Sequence, residues 1–292
     1  MKNNYKDFLI IIISLLFLYF SLLNNKIINE SIISSITLWV TKVFPALFPM
    51  ILLNNILIDY NLPYYITKLV KKKGLKYYVM ILSLFSGSPS NAIIIKELYQ
   101  NNSISMEDSN KLLTYTFFSN PIFLTTMLSL IFDMKTTYKL IIISYLSNYI
   151  VSFIFKTKSN NLRSIKNKDY SISNSITKTM TTLIMVLGTI TFYILISTFV
   201  ISLLDLNNIN SLFIKGFLEL TQGLNYLKEI NISLFLKELI ALIFISFGGL
   251  SIHTQIKSIL SDTNLSYKYF LYGRLLCMII SLAIITFMMI IV

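Results

Sequence analysis

Apolar runs of membrane-crossing length recur along this chain. Phe8–Leu23, Leu140–Phe155, Thr182–Leu204 and Leu275–Val292 each pass without a single charged side chain. A helix needs about 20 predominantly apolar residues to cross the hydrocarbon core of a bilayer. Composition agrees: 55% of the 292 residues are hydrophobic and 13% are charged, where a soluble domain carries roughly 25% charged residues. With a mean hydropathy of +0.70, the chain is read as an all-α polytopic membrane protein. That excludes a secreted domain, a soluble enzyme and a free nucleic-acid binder.

Expected full spans are 8–24, 36–59, 112–132, 137–156, 180–204 and 270–291. The first follows Lys2 and Lys6 like a signal peptide, but Asn24-Asn25-Lys26 stands where a small-residue cleavage motif would be. It is therefore read as a retained span. Two further stretches, 77–95 and 235–256, begin apolar and then break at Phe85-Ser86-Gly87-Ser88-Pro89-Ser90-Asn91 and at Phe247-Gly248-Gly249-Leu250-Ser251. Irregular backbone survives at membrane depth only where protein or water lines it.

The formal charge of +12 reports orientation. Five basic residues fall in 68–76 and six in 156–178, and such clusters mark the cytoplasmic side. If 77–95 crossed fully, the second cluster would end outside. If it turns back as a re-entrant hairpin, spans 112–132 and 137–156 return the second cluster to the cytoplasm. The charges favour the hairpin. The stretch 205–232 then lies outside, where Asp205, Glu219 and Glu229 nearly balance Lys215 and Lys228.

The two broken stretches also resemble each other. Phe85-Ser86-Gly87, Ala92 to Leu98, Ile104-Ser105 and Lys111-Leu112-Leu113 are matched by Phe247-Gly248-Gly249, Thr254 to Leu260, Leu265-Ser266 and Arg274-Leu275-Leu276. Upstream, the helix around Phe44-Pro45-Ala46-Leu47-Phe48-Pro49 is paired with the helix containing Gly188 and Phe192. The hairpins enter from opposite sides. Inverted-topology repeats with interrupted helices are the pointer to a transporter, so two re-entrant helical hairpins are expected to meet near the midplane.

The stretch from Phe85 through Pro121, with Lys96-Glu97-Leu98-Tyr99 and Ile104-Ser105-Met106-Glu107-Asp108, resembles the YlbJ-type sporulation integral membrane proteins of the nucleoside-recognition, or gate-domain, group. Phe247-Gly248-Gly249-Leu250-Ser251-Ile252-His253-Thr254-Gln255, Ser261-Asp262-Thr263 and Gly273-Arg274-Leu275-Leu276 are closer still. The resemblance extends over most of 36–292. It implies a carrier related in fold to nucleoside transporters, tied to spore formation, that moves dipicolinic acid across the outer forespore membrane. This chain departs at Asn91, where the family pattern, approximately Gly-x-Pro-x-Gly-Ala, has its second glycine. The segment around Asn120-Pro121 is also shorter than the Asn- and Gly-rich version of the family.

A broken membrane helix exposes N–H groups that attract anions. Ser88, Ser90 and Asn91 add donors at the first break, and Ser251, His253, Thr254 and Gln255 add them at the second. They either touch a solute or merely cap the half-helices. His253, the sole histidine, either meets a carboxylate and takes part in proton coupling or stays neutral and donates to a carbonyl. Arg274 presents a fork suited to carboxylates; it either holds a dicarboxylate or pairs with Glu238 or Asp262. Lys42, nearer a helix end, is read as snorkelling. Asn54, Asn55 and Asn120 are polar points whose simplest use is hydrogen bonding between helices. Cys277, the sole cysteine, reads as a packed thiol. A metal site is not expected, nor is a cofactor, and no phosphate loop, nucleophile elbow or paired carboxylates suggest an enzyme.

The candidate substrate-binding residues are thus Ser88, Ser90, Asn91, Asn120, Ser251, His253, Gln255 and Arg274. The chain divides into an N-terminal span and loop (1–35), a first gate-like repeat (36–160), a basic cytoplasmic loop (161–179) and a second gate-like repeat (180–292). The expected activity is transport of a small organic anion, dipicolinate by resemblance. A nucleoside or other small-solute carrier is the alternative within transport, and a non-transporting scaffold of spore-envelope assembly the alternative outside it. Expected partners are the lipid bilayer, the small anionic solute and either a second copy or other spore membrane proteins, with no nucleic acid. The expected location is the cell membrane and, in sporulating cells, the outer forespore membrane.

Overall fold

Two long helices form the spine. The first is built from α2 (Asn25–Leu38), one π turn (Trp39–Val43) and α3 (Phe44–Asp59); the second is α9 (Ile172–Leu204). In this computed structural model the described residues are 4–60, 62, 65, 74–157 and 171–291. Lys68, Lys71, Lys72 and Lys73 of the first basic cluster lie outside them, as do Lys158, Arg163, Lys166 and Lys168 of the second. Pro45 has no N–H to donate to the carbonyl of Thr41, four residues back. That carbonyl falls in the π turn, the usual way a membrane helix absorbs such a loss.

The two rods run antiparallel and are laced by polar pairs: Ser31 with Thr198 at 3.1 Å, Ser35 with Thr191 at 2.9 Å, the Asn55 amide to the Thr179 hydroxyl at 3.0 Å, and the Ser175 hydroxyl to the Asp59 carboxylate at 2.8 Å. Each such bond between membrane helices contributes about 0.6 kcal/mol, so the seam is assembled from many small terms.

After each rod the chain repeats one order of elements. In the first half come the helices α4 (Gly74–Ser86) and α5 (Ser90–Gln100), which fold back on each other as a hairpin. They are followed by a broken span, α6 (Met106–Tyr115) and α7 (Pro121–Leu128), and a straight one, α8 (Met134–Ile154). In the second half the hairpin is α10 (Asn208–Leu218) with α11 (Leu220–Leu227), the broken span is α12 (Leu234–Phe247) with α13 (Gly249–Leu260), and the straight span is α14 (Tyr267–Ile291). Polar residues in the connections start these helices. Ser105, Asp133, Ser171, Asn207 and Ser233 each accept a first-turn backbone N–H on α6, α8, α9, α10 and α12, a cap that contributes about 1 kcal/mol.

The apolar core divides along the same lines. One cluster collects both arms of the first hairpin, α6, α13, the C-terminal half of α8 (Val151) and the N-terminal half of α14 (Phe270, Cys277). The other collects α10 and α11, α7, α12, the N-terminal half of α8 (Leu140, Ile141) and the C-terminal half of α14 (Ile285). Each hairpin therefore stays at its own end, while α6–α7, α12–α13, α8 and α14 pass from end to end. The hairpins enter from opposite ends, as the inverted-repeat reading requires. Lys76, which donates to the Ser152 carbonyl at 3.1 Å, and Lys178, which reaches Asp59 and Glu97, sit at the end of the first hairpin, and Lys156 follows α8 there. The described members of both basic clusters thus share one end.

Two expectations need correction. The second re-entrant hairpin is Asn208–Leu227, not 235–256; the stretch 234–260 is a span broken at Gly248 and long enough to cross a membrane. The expected unbroken span 112–132 is interrupted by five non-helical residues, 116–120. Five helices among the described residues are long and apolar enough to cross a bilayer. Helix α1 (Asn4–Leu23) stands against the spine through Phe17 and Phe20, both edge-on to Phe199.

Candidate functional site

Four chain breaks meet inside the molecule: the two hairpin tips and the interruptions of the two broken spans. At the first tip, Gly87 takes φ +73°, and a Cβ there would sit 2.8 Å from the backbone nitrogen of Asn120. Only glycine fits so close an approach. The first tip is thus pressed against the first span's break. Asn120 ties the two together: its amide donates to the Phe85 carbonyl at 2.7 Å while its Oδ1 accepts from Ile122 and Phe123 N–H at 2.9 and 3.1 Å, capping α7.

The second half repeats the contact with the roles exchanged. Here the glycines are in the break, with Gly248 at φ +91° and Gly249 at φ +73°, and a Cβ on Gly249 would lie 2.9 Å from the Leu220 nitrogen at the second tip. That tip is a single extended residue, Glu219. Its carboxylate caps α11, accepting from the Gln222 N–H at 2.6 Å and the Thr221 hydroxyl at 2.9 Å. The hairpin arms come together at glycines, since a Cβ on Gly223 would meet the Gly216 Cα at 2.2 Å.

These four breaks surround one small cleft with about 50 Å³ of free volume, room for a few water molecules as it stands. Its polar lining comes from all four breaks: Ser88; Ser119 and Asn120; Glu219 and Thr221; Ser251 and Gln255. The spine supplies apolar walls, Val43 and Leu47 from the first rod and Val186 and Ile190 from α9. The hydroxyl oxygens of Ser88, Ser119 and Ser251 are buried and have no hydrogen-bond partner among the described residues. An unpaired buried hydroxyl costs about 1–3 kcal/mol, so three around one cleft invite a ligand.

Four of the eight candidate residues from the sequence, Ser88, Asn120, Ser251 and Gln255, line the cleft. Gln255 also donates to Thr189 on α9 at 2.7 Å. Ser90 and Asn91 occupy the first turn of α5, buried and outside the lining. His253 is buried away from it: Nε2 donates to the Phe247 carbonyl at 3.0 Å, and Nδ1 lies 2.6 Å from the Tyr267 hydroxyl. A carbonyl can only accept, so Nε2 is the donor there, as in the carbonyl-donor reading.

Arg274 is wholly buried, with neither Glu238, which pairs with Lys139, nor Asp262, which pairs with Lys96, as its partner. Its guanidinium instead reaches the carbonyls of Thr114, Phe117 and Ser246 at 3.3–3.5 Å and the Asn148 Oδ1 at 2.7 Å, and lies 4.1 Å from the Phe117 ring centroid. The Thr114 and Ser246 carbonyls end α6 and α12, the helices interrupted at the breaks, and Phe117 lies in the first break. A cation there offsets two negative helix ends.

Ser119, Glu219 and Thr221 complete the lining without having been singled out from sequence. The last two sit in the stretch 205–232, read as an outside loop from the order of spans, with its nearly balanced charges in agreement. The available signal was the pair Gly216 and Gly223 bracketing Glu219, small residues seven apart that let two backbones approach.

No protein-family model matches the chain, and no solved structure does. A match to a curated protein is found with the sporulation integral membrane protein YlbJ of Bacillus subtilis (strain 168), 25% identical over 300 residues and covering 83% of this chain and 73% of that protein. The chain is a relative of the YlbJ-type proteins. The resemblance read from the hairpin and C-terminal motifs is thereby borne out. The aligned share, 83% of this chain, takes in residues from both of its halves.

Proposed function

We propose that the chain is a membrane carrier for a small organic anion, acting in spore formation as its YlbJ-type relative's name indicates, with a dipicolinate-like solute held between the hairpin tips in the outer forespore membrane. The supporting observation is the meeting of four chain breaks, from opposite ends of the molecule, around one cleft with three unpaired buried hydroxyls. Hydroxyl and amide groups suit the carboxylate oxygens and ring nitrogen of a planar heteroaromatic acid. The Val43, Leu47, Val186 and Ile190 walls suit its ring faces. Broken helices meeting at a site between two repeats are the arrangement alternating access needs.

A second reading has its own support. Among the described residues the cleft lining contains a carboxylate, Glu219, and no lysine or arginine, which favours a neutral solute such as a nucleoside. Uptake into vesicles containing the purified chain separates these readings. A dipicolinate carrier accumulates dipicolinate and not uridine; Ser88→Ala with Ser251→Ala lowers that uptake about tenfold or more while the protein still inserts. Uridine uptake alone establishes the second reading. Uptake of neither solute, with silent serine variants, leaves the scaffold role.

A further inference from the structure

The anion-carrier reading leaves a negative side chain facing a negative solute. Glu219 is 2% exposed and lines the cleft. Both of its hydrogen bonds come from its own turn, the Thr221 hydroxyl and the Gln222 N–H, and it makes no ion pair among the described residues. The charged groups of the surrounding elements are committed elsewhere or stand apart. On the hairpin, Lys215 lies over the Tyr226 ring at 3.5 Å. On α12, Glu238 is held by Lys139 and Lys237 donates to the Lys228 carbonyl. On α13, His253 is engaged at both nitrogens and Lys257 is exposed. On α9, Lys178 pairs with Asp59 and Glu97. Arg274 on α14 is taken up by carbonyls, Lys42 on the π turn is half-buried without an ion pair to Glu219, and α7 has no charged residue.

We propose that Glu219 takes up one proton when the anionic solute enters the cleft and returns it when the solute leaves, so that solute and proton cross together. This rests on the anion-carrier reading above. Two like charges in one buried cleft disfavour each other's ionised forms, and the carboxylate is the group that can neutralise. The step is a simple protonation: a proton from the water on the loading side adds to Oε1, and it returns to water on the other side. The site accommodates both forms. With Glu219 ionised, the Thr221 hydroxyl donates to Oε1; with Oε1 protonated, the same hydroxyl accepts, since a hydroxyl does either. Oε2 keeps the Gln222 N–H throughout.

The test is a proton count on the full chain in lipid nanodiscs, in weak buffer, with dipicolinate as the probe and binding measured on the same samples. Wild type is expected to take up about one proton per dipicolinate bound, with a carboxylic-acid infrared band appearing on binding. Its Kd should rise about tenfold per unit of pH where the free carboxylate is ionised. Glu219→Gln should show no uptake, no band and no pH dependence of this kind; Glu219→Asp should keep all three, with the band moved to the aspartic-acid position. That last shift decides the matter even if Glu219→Gln fails to fold for want of its cap. Dipicolinate bound by wild type without a proton, or uptake persisting in Glu219→Gln, overturns the proposal and leaves the carrier standing. Absence of any dipicolinate binding overturns the anion reading and this proposal with it.

Discussion

At the scale of single residues, the polar groups near the cleft fall into two kinds that mutation separates. Asn120 spends its whole amide on structure, two cap bonds and the bridge to Phe85. Asn120→Ala removes a cap of about 1 kcal/mol and leaves the part-buried Phe85 carbonyl without its partner, at a cost of about 1–3 kcal/mol. The chain should therefore lose about 2–4 kcal/mol in a detergent unfolding titration. Ser251 spends nothing on the fold, its hydroxyl having no partner among the described residues. Ser251→Ala should leave that titration unchanged or improved and weaken solute binding instead. Arg274 belongs with Asn120. Arg274→Met strands the buried Asn148 oxygen and leaves carbonyls at two helix ends without their cation, and should lower stability by about 1–3 kcal/mol. Arg274→Lys should not restore it, because an ammonium has no planar fork to reach three carbonyls and Asn148 together.

At the scale of elements, glycine placement shows where backbones meet. Gly249 combines a positive φ of +73° with a prospective Cβ 2.9 Å from the Leu220 nitrogen, whereas Gly188 lies on α9 with nothing within 4 Å. Gly249→Ala should disturb the second tip and lower the unfolding midpoint. Gly188→Ala should raise stability by about 1 kcal/mol, the helix-propensity difference. The first hairpin was legible in the sequence because Gly87, Ser88 and Pro89 interrupt an apolar run and lysines flank it. The second was not, because its tip is one residue whose own carboxylate caps the next helix, and its short arms carry enough polar groups to read as a loop. Gly248-Gly249 imitates a hairpin tip in sequence. Only the core clusters reveal that α12 and α13 lie at opposite ends.

At the scale of the whole molecule, the account is one of two hairpins entering from opposite ends of an antiparallel spine to meet at a shared cleft. The membrane class and the turning back of the first hairpin were legible in apolar runs and lysine placement, because both are written in long stretches of composition. The cleft was half legible: Ser88, Asn120, Ser251 and Gln255 stand at visible breaks, while Ser119, Glu219 and Thr221 enter through close packing that no local pattern records. The most direct test is the sidedness of two single cysteines in a Cys277→Ala background. Asn101→Cys sits at the open end of the first hairpin and Asn208→Cys at that of the second, both at exposed positions. The account predicts labelling of position 101 by a membrane-impermeant reagent only from the cytoplasmic side, and of position 208 only from the opposite side. Labelling of both from the same side would contradict it.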